Sequence, residues 1–179
     1  MDQTDLGAVF DDHVNSEFQL RDANAAVASM TDDAYLNHVP VATGAVGREH
    51  LRRFYADHFI PGWPDDVEVT PISRTVDQAR VVDELLVCFT HTRVMNHCLP
   101  GVAPTGRRVE LPHVVVVGFN DGKIAYEHVY WDQASLLVQV GLLDPATLPA
   151  LGVEQARKLM DKDLPSNELI ERAGARDDA

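Results

Sequence analysis

The spacing of apolar residues changes character along the chain. Leu6, Val9, Phe10, Val14 and Phe18 recur at three- and four-residue intervals, which predicts a helix over residues 6–20. Asp22 stands where an N-cap belongs, ahead of an alanine-rich stretch that predicts a short helix over Ala23–Met30. Ala34–Val39 reads as a short extended piece ended by Pro40, and a loop leads from there to Gly47. Leu51, Phe54, Tyr55 and Phe59 restore the helical interval over 48–59, and Ile60–Pro64 breaks it as a loop.

Beyond that loop the period becomes two, or the run becomes wholly apolar. Val67–Arg74, Ala79–Met95, Arg107–Phe119 and Lys123–Trp131 read as four strands. Asn120-Asp121-Gly122 joins the last two and is a strong hairpin signal. Gln133–Val140 returns to the helical interval and is stopped by Gly141. After Pro145 and Pro149, Gly152–Met160 and Ser166–Ala173 read as two short helices, and the last six or so residues are expected to fray. Helices, then a strand meander, then a helix make an α+β domain, with the helices on one face of a curved antiparallel sheet.

At 179 residues the chain is one domain's worth, with 45% hydrophobic and 24% charged residues. Twenty-eight acids against fifteen bases give a net charge of −13, which argues against nucleic acid and anionic membranes as partners. No apolar run reaches the roughly 18 residues of a membrane span, and the N-terminus lacks the basic-then-apolar order of a signal peptide. Cys88 and Cys98 form no Cys-x-x-Cys pair and are expected to stay reduced, as in a cytoplasmic protein.

Several short motifs add a resemblance. Thr31-Asp32-Asp33-Ala34-Tyr35-Leu36-Asn37-His38-Val39-Pro40, Gly47-Arg48-Glu49 and Leu51-x-x-Phe54-Tyr55 resemble the opening of nuclear transport factor 2-like domains. Pro104–Val109, Asp121-Gly122-Lys123-Ile124, and Asp132 followed by Leu136-Leu137-Val138-Gln139-Val140-Gly141-Leu142 resemble the SnoaL-like branch. That branch includes polyketide cyclases, and ketosteroid isomerases and scytalone dehydratase share its fold. The resemblance spans residues 5–143. It implies a domain over 1–143 and a C-terminal helical extension over 144–179. It also implies a cone-shaped sheet around a small-molecule pocket, dimerisation through the sheet, and chemistry without cofactor or metal.

Against ketosteroid isomerases, His38 falls where the resemblance places the catalytic base, and Val14 replaces the Tyr of the oxyanion hole. His38 could move a proton near neutrality or serve as a hydrogen-bonded plug under a loop. If the hairpin keeps one two-residue-turn register, His113 lies opposite Tyr130 and Val115 opposite His128. Tyr126, His128, Tyr130 and Asp132 then share a face with His113, a workable acid–base set; a one-residue shift dissolves it. Asp83 and Glu84 point to opposite faces, so one of them can enter the pocket as an acid, or pair with Arg80, Arg93 or Arg107.

The catalytic candidates are therefore His38, His113, His128 and Asp132. Tyr35, Trp63, Asp83, Glu84, His91, Tyr126 and Tyr130 are the candidates for substrate binding. His91, His97, Cys98, His113 and His128 show no metal-ligand spacing, so no metal is expected. His13, His50 and His58 read as surface groups on helices. These residues suit a cyclase, dehydratase or isomerase acting on an apolar carbonyl-bearing or polyketide-like molecule. The alternatives are a ligand-binding or scaffold domain, and a hydrolase activating water through Asp83, Arg93 and Asp132.

Overall fold

The computed structural model describes residues 4–177. Helix α1 (Leu6–Phe18) starts at Asp5, whose carboxylate accepts the Ala8 N–H, and α2 (Ala23–Ala28) starts at Asp22, which caps Asn24 and Ala25. Strand β1 (Met30–His38) and strand β2 (Thr43–Val46) follow, then helix α3 (Arg48–Phe54). α3 runs on through a wide π-type turn, Tyr55–Phe59, and a tight turn, Ile60–Gly62. Strands β3 (Glu68–Val76), β4 (Arg80–Thr90), β5 (Arg108–Asn120) and β6 (Lys123–Trp131) come next. Helices α4 (Gln133–Gln139), α5 (Glu154–Met160) and α6 (Glu168–Asp177) complete the described chain.

The strands form one curved, open sheet of six in the order β2-β1-β6-β5-β4-β3, antiparallel except where β1 lies parallel to β6. The α+β class is as the residue pattern predicts. Four places differ most from that pattern. β1 starts at Met30, where the second helix was expected to end; its polar Thr31-Asp32-Asp33 lie in a stretch of irregular pairing between Met30 and Tyr35. β2, four residues long, is too short to show a period. β4 stops at Thr90, well before Met95; there the Asp66 carboxylate takes the Thr90 N–H and a loop begins. α6 continues to Asp177, into the last six or so residues that were expected to fray, and 178–179 lie outside the described residues.

One register detail reorganises the candidate residues. Asp121 and Gly122 both have positive φ (49° and 74°), the mark of a two-residue turn matched to strand twist. Asn120 pairs with Lys123 and Phe119 with Ile124, as that turn requires, but Gly118 pairs with Tyr126. Ala125 is thus an extra residue, a β-bulge, and it exchanges the faces of everything beyond it on β6. Gly118 permits the arrangement, since a Cβ there would lie 2.0 Å from the Tyr126 ring. His113 consequently sits opposite Trp131, and Val116 opposite His128.

The concave face carries Val81, Val87, Phe89, Val109, Leu111, Val115 and Val117, all buried, with α1 packed against β4 and α3 against β1 and β2. Arg74 on β3 ties α1 down. Its guanidinium meets both Asp83 carboxylate oxygens at 2.7 Å and Asp11 at 2.8 Å, and lies 5.8 Å from the Phe10 ring centroid. At the far end of β5, Gln139 of α4 bonds both backbone groups of Glu110, and Arg157 of α5 reaches its carboxylate.

Candidate functional site

A cavity of about 70 Å³ lies between the concave face and the helices. That is room for several waters or a small ligand, and less than the ~150 Å³ of an apolar cavity that admits benzene. Aromatic rings dominate its wall: Phe10 and Phe18 from α1, Tyr55 and Phe59 from the wide turn, then Trp63, Phe89 and Trp131. None of the lining residues is Lys or Arg, and the polar groups gather in two places.

The first place holds His38, His97 and His113, all buried. His38 ends β1 and packs against Phe54, Phe59 and Trp131, with its ring 6.0 Å from that of His97. His97 comes from the loop after β4, which it fastens over the cavity. Its backbone carbonyl accepts the Thr43 hydroxyl at 2.6 Å, and its Nδ1 meets the His58 carbonyl at 3.3 Å.

These bonds fix the tautomers. The Thr43 proton goes to the His97 carbonyl, so at the 3.0 Å contact with His38 the Nδ1–H of His38 donates and Thr43 Oγ1 accepts. His113 Nδ1 donates to the Leu111 carbonyl at 2.9 Å, and His97 Nδ1 donates to that of His58. Each ring therefore keeps an Nε2 lone pair, and that of His97 is buried with no partner. Burial pushes His38 and His97 down to about 3 and His113 to about 4, so all three are neutral at pH 7.

The second place is a buried quartet. His13 Nε2 stands 3.1 Å from a carboxylate oxygen of Glu17 and 3.1 Å from one of Glu127. The Tyr55 hydroxyl is 3.3 Å from the same nitrogen and 3.4 Å from Glu127 Oε1. Burial by itself would lower His13, yet Glu127 and then Glu17 override it and hold the imidazole well above its usual range. Burial raises the Glu17 carboxyl, and burial raises the Tyr55 phenol with the two carboxylates adding to the effect. Glu127 pairs with Val117, and His113 lies four residues further along β5. The two places are thus about 13 Å apart at ~3.3 Å per residue.

The sequence-derived candidates divide accordingly. His38, His113 and Trp63 line the cavity. The bulge places Tyr126, His128 and Tyr130 on the convex face, apart from His113; there Tyr126 and His128 stack around Tyr35, whose hydroxyl is 3.0 Å from His128 Nε2. Asp132 is exposed and caps α4 through the Ser135 N–H. Asp83 is buried, and its partner is Arg74, none of the three arginines expected. Glu84 accepts from the Ser73 hydroxyl, and His91 is buried against Thr105 away from the cavity.

His13, expected at the surface, is fully buried, because α1 turns that side toward the sheet. It stands behind Glu17, Tyr55 and Glu127, which with His97 form the polar lining that the pattern reading missed. The available signal was His13-x-x-x-Glu17, which puts two ligating groups on one side of a helix. Glu127 carried no such signal, since its inward orientation depends on the bulge.

Residues 10–127 match the SnoaL-like domain family. Among solved structures, a candidate SnoaL-like polyketide cyclase from Jannaschia sp. CCS1 is 19% identical with TM-score 0.60, covering 80% of this chain and 99% of its own. A ketosteroid isomerase-like protein from Catenulispora acidiphila, in complex with trimethylamine, is 18% identical with TM-score 0.57, over 75% and 93%. SalBIII, an epoxide hydrolase/cyclase-like enzyme of pyran ring formation in salinomycin, is 19% identical with TM-score 0.56, over 73% and 93%. At these identities the likeness is one of fold. No curated protein matches the chain. Among the described residues no helix is long and apolar enough to cross a membrane.

Proposed function

The chain belongs to the SnoaL-like domain family, and on that premise we propose that it is a small-molecule acid–base enzyme. The reaction is a cyclisation, dehydration or isomerisation of an apolar, carbonyl-bearing compound. The observation that carries this reading is the set of three buried imidazoles whose Nδ1–H groups are all committed, leaving Nε2 lone pairs in an aromatic-lined cavity. His38 takes the substrate proton on Nε2. Because burial depresses its basicity, it returns that proton readily, which suits a shuttle. His113 and His97 accept hydrogen bonds from substrate hydroxyl or enol groups, and Trp63 supplies a buried indole N–H that has no protein partner. The neighbours described as cyclases support a ring-forming reaction.

The water-activating hydrolase loses its machinery. Asp83 is held by Arg74, Arg93 by Asp65, and Asp132 by the start of α4. A ligand-binding role without catalysis is favoured by one observation, the small volume of the cavity. We place the protein in the cytoplasm, with both cysteines free, as a dimer through the convex face where Val114 and Tyr130 stand exposed.

The test is a ¹H–¹⁵N histidine titration with and without a panel of small carbonyl compounds. His38 and His113 resonances that respond to one compound class, together with loss of its turnover in His38→Phe, support the enzyme. Binding that moves these resonances without turnover of any bound compound supports the ligand-binding role instead. Resonances indifferent to every compound remove both readings.

A further inference from the structure

We propose that His13, Glu17 and Glu127 form a divalent transition-metal site at the closed end of the cavity. Their ligating atoms lie within 4.8 Å of one another, and all three side chains are buried. The imidazole is oriented for ligation by its far side. Ser29 gives its hydroxyl proton to the Ala26 carbonyl at 2.8 Å, so both groups at His13 Nδ1, Ala26 O at 3.0 Å and Ser29 Oγ at 2.9 Å, are acceptors. Nδ1 therefore carries the proton and Nε2 faces the two carboxylates. A ring N–H tied to a backbone carbonyl is the arrangement that fixes the tautomer of metal-bound histidines.

Distance and charge agree with that orientation. Both Nε2–carboxylate separations are 3.1 Å. An ion with bonds of ~2.0–2.2 Å to nitrogen and oxygen, at angles between octahedral and tetrahedral, sets ligand atoms ~2.9–3.5 Å apart. Without metal the two carboxylates hold a proton on the imidazole; a divalent ion would displace that proton and cancel both carboxylate charges in a place that no Lys or Arg lines. One nitrogen with carboxylate oxygens suits Zn²⁺, Mn²⁺ or Fe²⁺ better than ions that prefer thiolates or all-oxygen cages. Tyr55 lies at the edge of the site, and Glu17 and Glu127 both line the cavity, so an ion held there would be reachable from the cavity. There the ion would polarise a carbonyl oxygen or a water. The inference rests on the small-molecule reading only for that last step, and it replaces the metal-free expectation drawn from sequence spacing.

The experiment uses the full chain, stripped with a chelator and dialysed against Zn²⁺ or Mn²⁺, with bound metal counted by plasma mass spectrometry. One equivalent per chain is expected, weakened at least ~10-fold in Glu127→Gln and in Glu17→Gln. In the wild type, which needs no variant to fold, Zn²⁺ should move the His13 Nε2 resonance and leave those of His38 and His113 in place. A His13 ring protonated on both nitrogens and indifferent to excess Zn²⁺ overturns the proposal. So does an equivalent of metal held equally well by both variants. Carbonyl compounds that bind the metal-stripped chain with no metal uptake would defeat this proposal and leave the functional one standing.

Discussion

Two regions of one cavity bury the same side chain and give it opposite proton affinity. At the loop end, His38, His97 and His113 face rings and backbone acceptors, and burial drives them to the neutral form. At the closed end His13 is just as deeply buried, yet Glu127 and Glu17 hold it well above its usual range. Burial sets the direction only when no charge is within reach; a carboxylate at 3.1 Å reverses it. The cavity is thereby divided into an uncharged wall of acceptors and a compact, charged floor.

Breaking the floor should have the largest effect. Glu127→Ala leaves a buried imidazole and a buried carboxyl without their shared partner, and a loss of about 3–5 kcal/mol is expected in urea unfolding. A loss under 1 kcal/mol would mean that the quartet is not held together by charge. The loop end should show itself in pH dependence. The folded state keeps His38, His97 and His113 neutral, so at these three the unfolded chain binds more protons below the ordinary histidine pKa of ~6.5. Stability is then full above that value and falls as pH drops from ~6.5 toward 4, with a shallower fall in His38→Phe. Unfolding free energies that stay flat between pH 7 and 5 contradict this.

Smaller still is the effect of Thr43→Val, which removes the hydroxyl that fixes His38 and anchors the His97 loop. About 1–2 kcal/mol should be lost, with the His38 ring free to change tautomer in ¹⁵N spectra. His128→Gln should leave ligand binding unchanged within error, because that ring lies on the convex face, away from the cavity. A change comparable to His38→Phe would show that the bulge-set orientation of β6 is wrong.

Much of the frame was readable from local pattern. The Asp22 cap, the Asp121-Gly122 turn, the long apolar strands and the helical tail each depend on neighbours a few residues away, and the structure has them. The site was readable only in part. His38 and Trp63 carried local signals and do reach the cavity. The cluster of His113 with Tyr126, His128 and Tyr130 was drawn from an unbroken hairpin, and Ala125 breaks it. A single inserted residue is invisible to a pattern of period two, because both faces of β6 carry polar and aromatic side chains.

The sequence by itself determined the elements, the turn chemistry, the acidic surface and the membership of a fold family, since each is written in spacing and composition over short stretches. Tertiary structure decided which polar side chains meet. His13 reaches Glu127 only because α1 packs on the concave face of the sheet, and Glu127 faces inward only because of the bulge. The proton affinities follow from those two placements, because a charge acts over a few ångströms of space, whatever the distance along the chain.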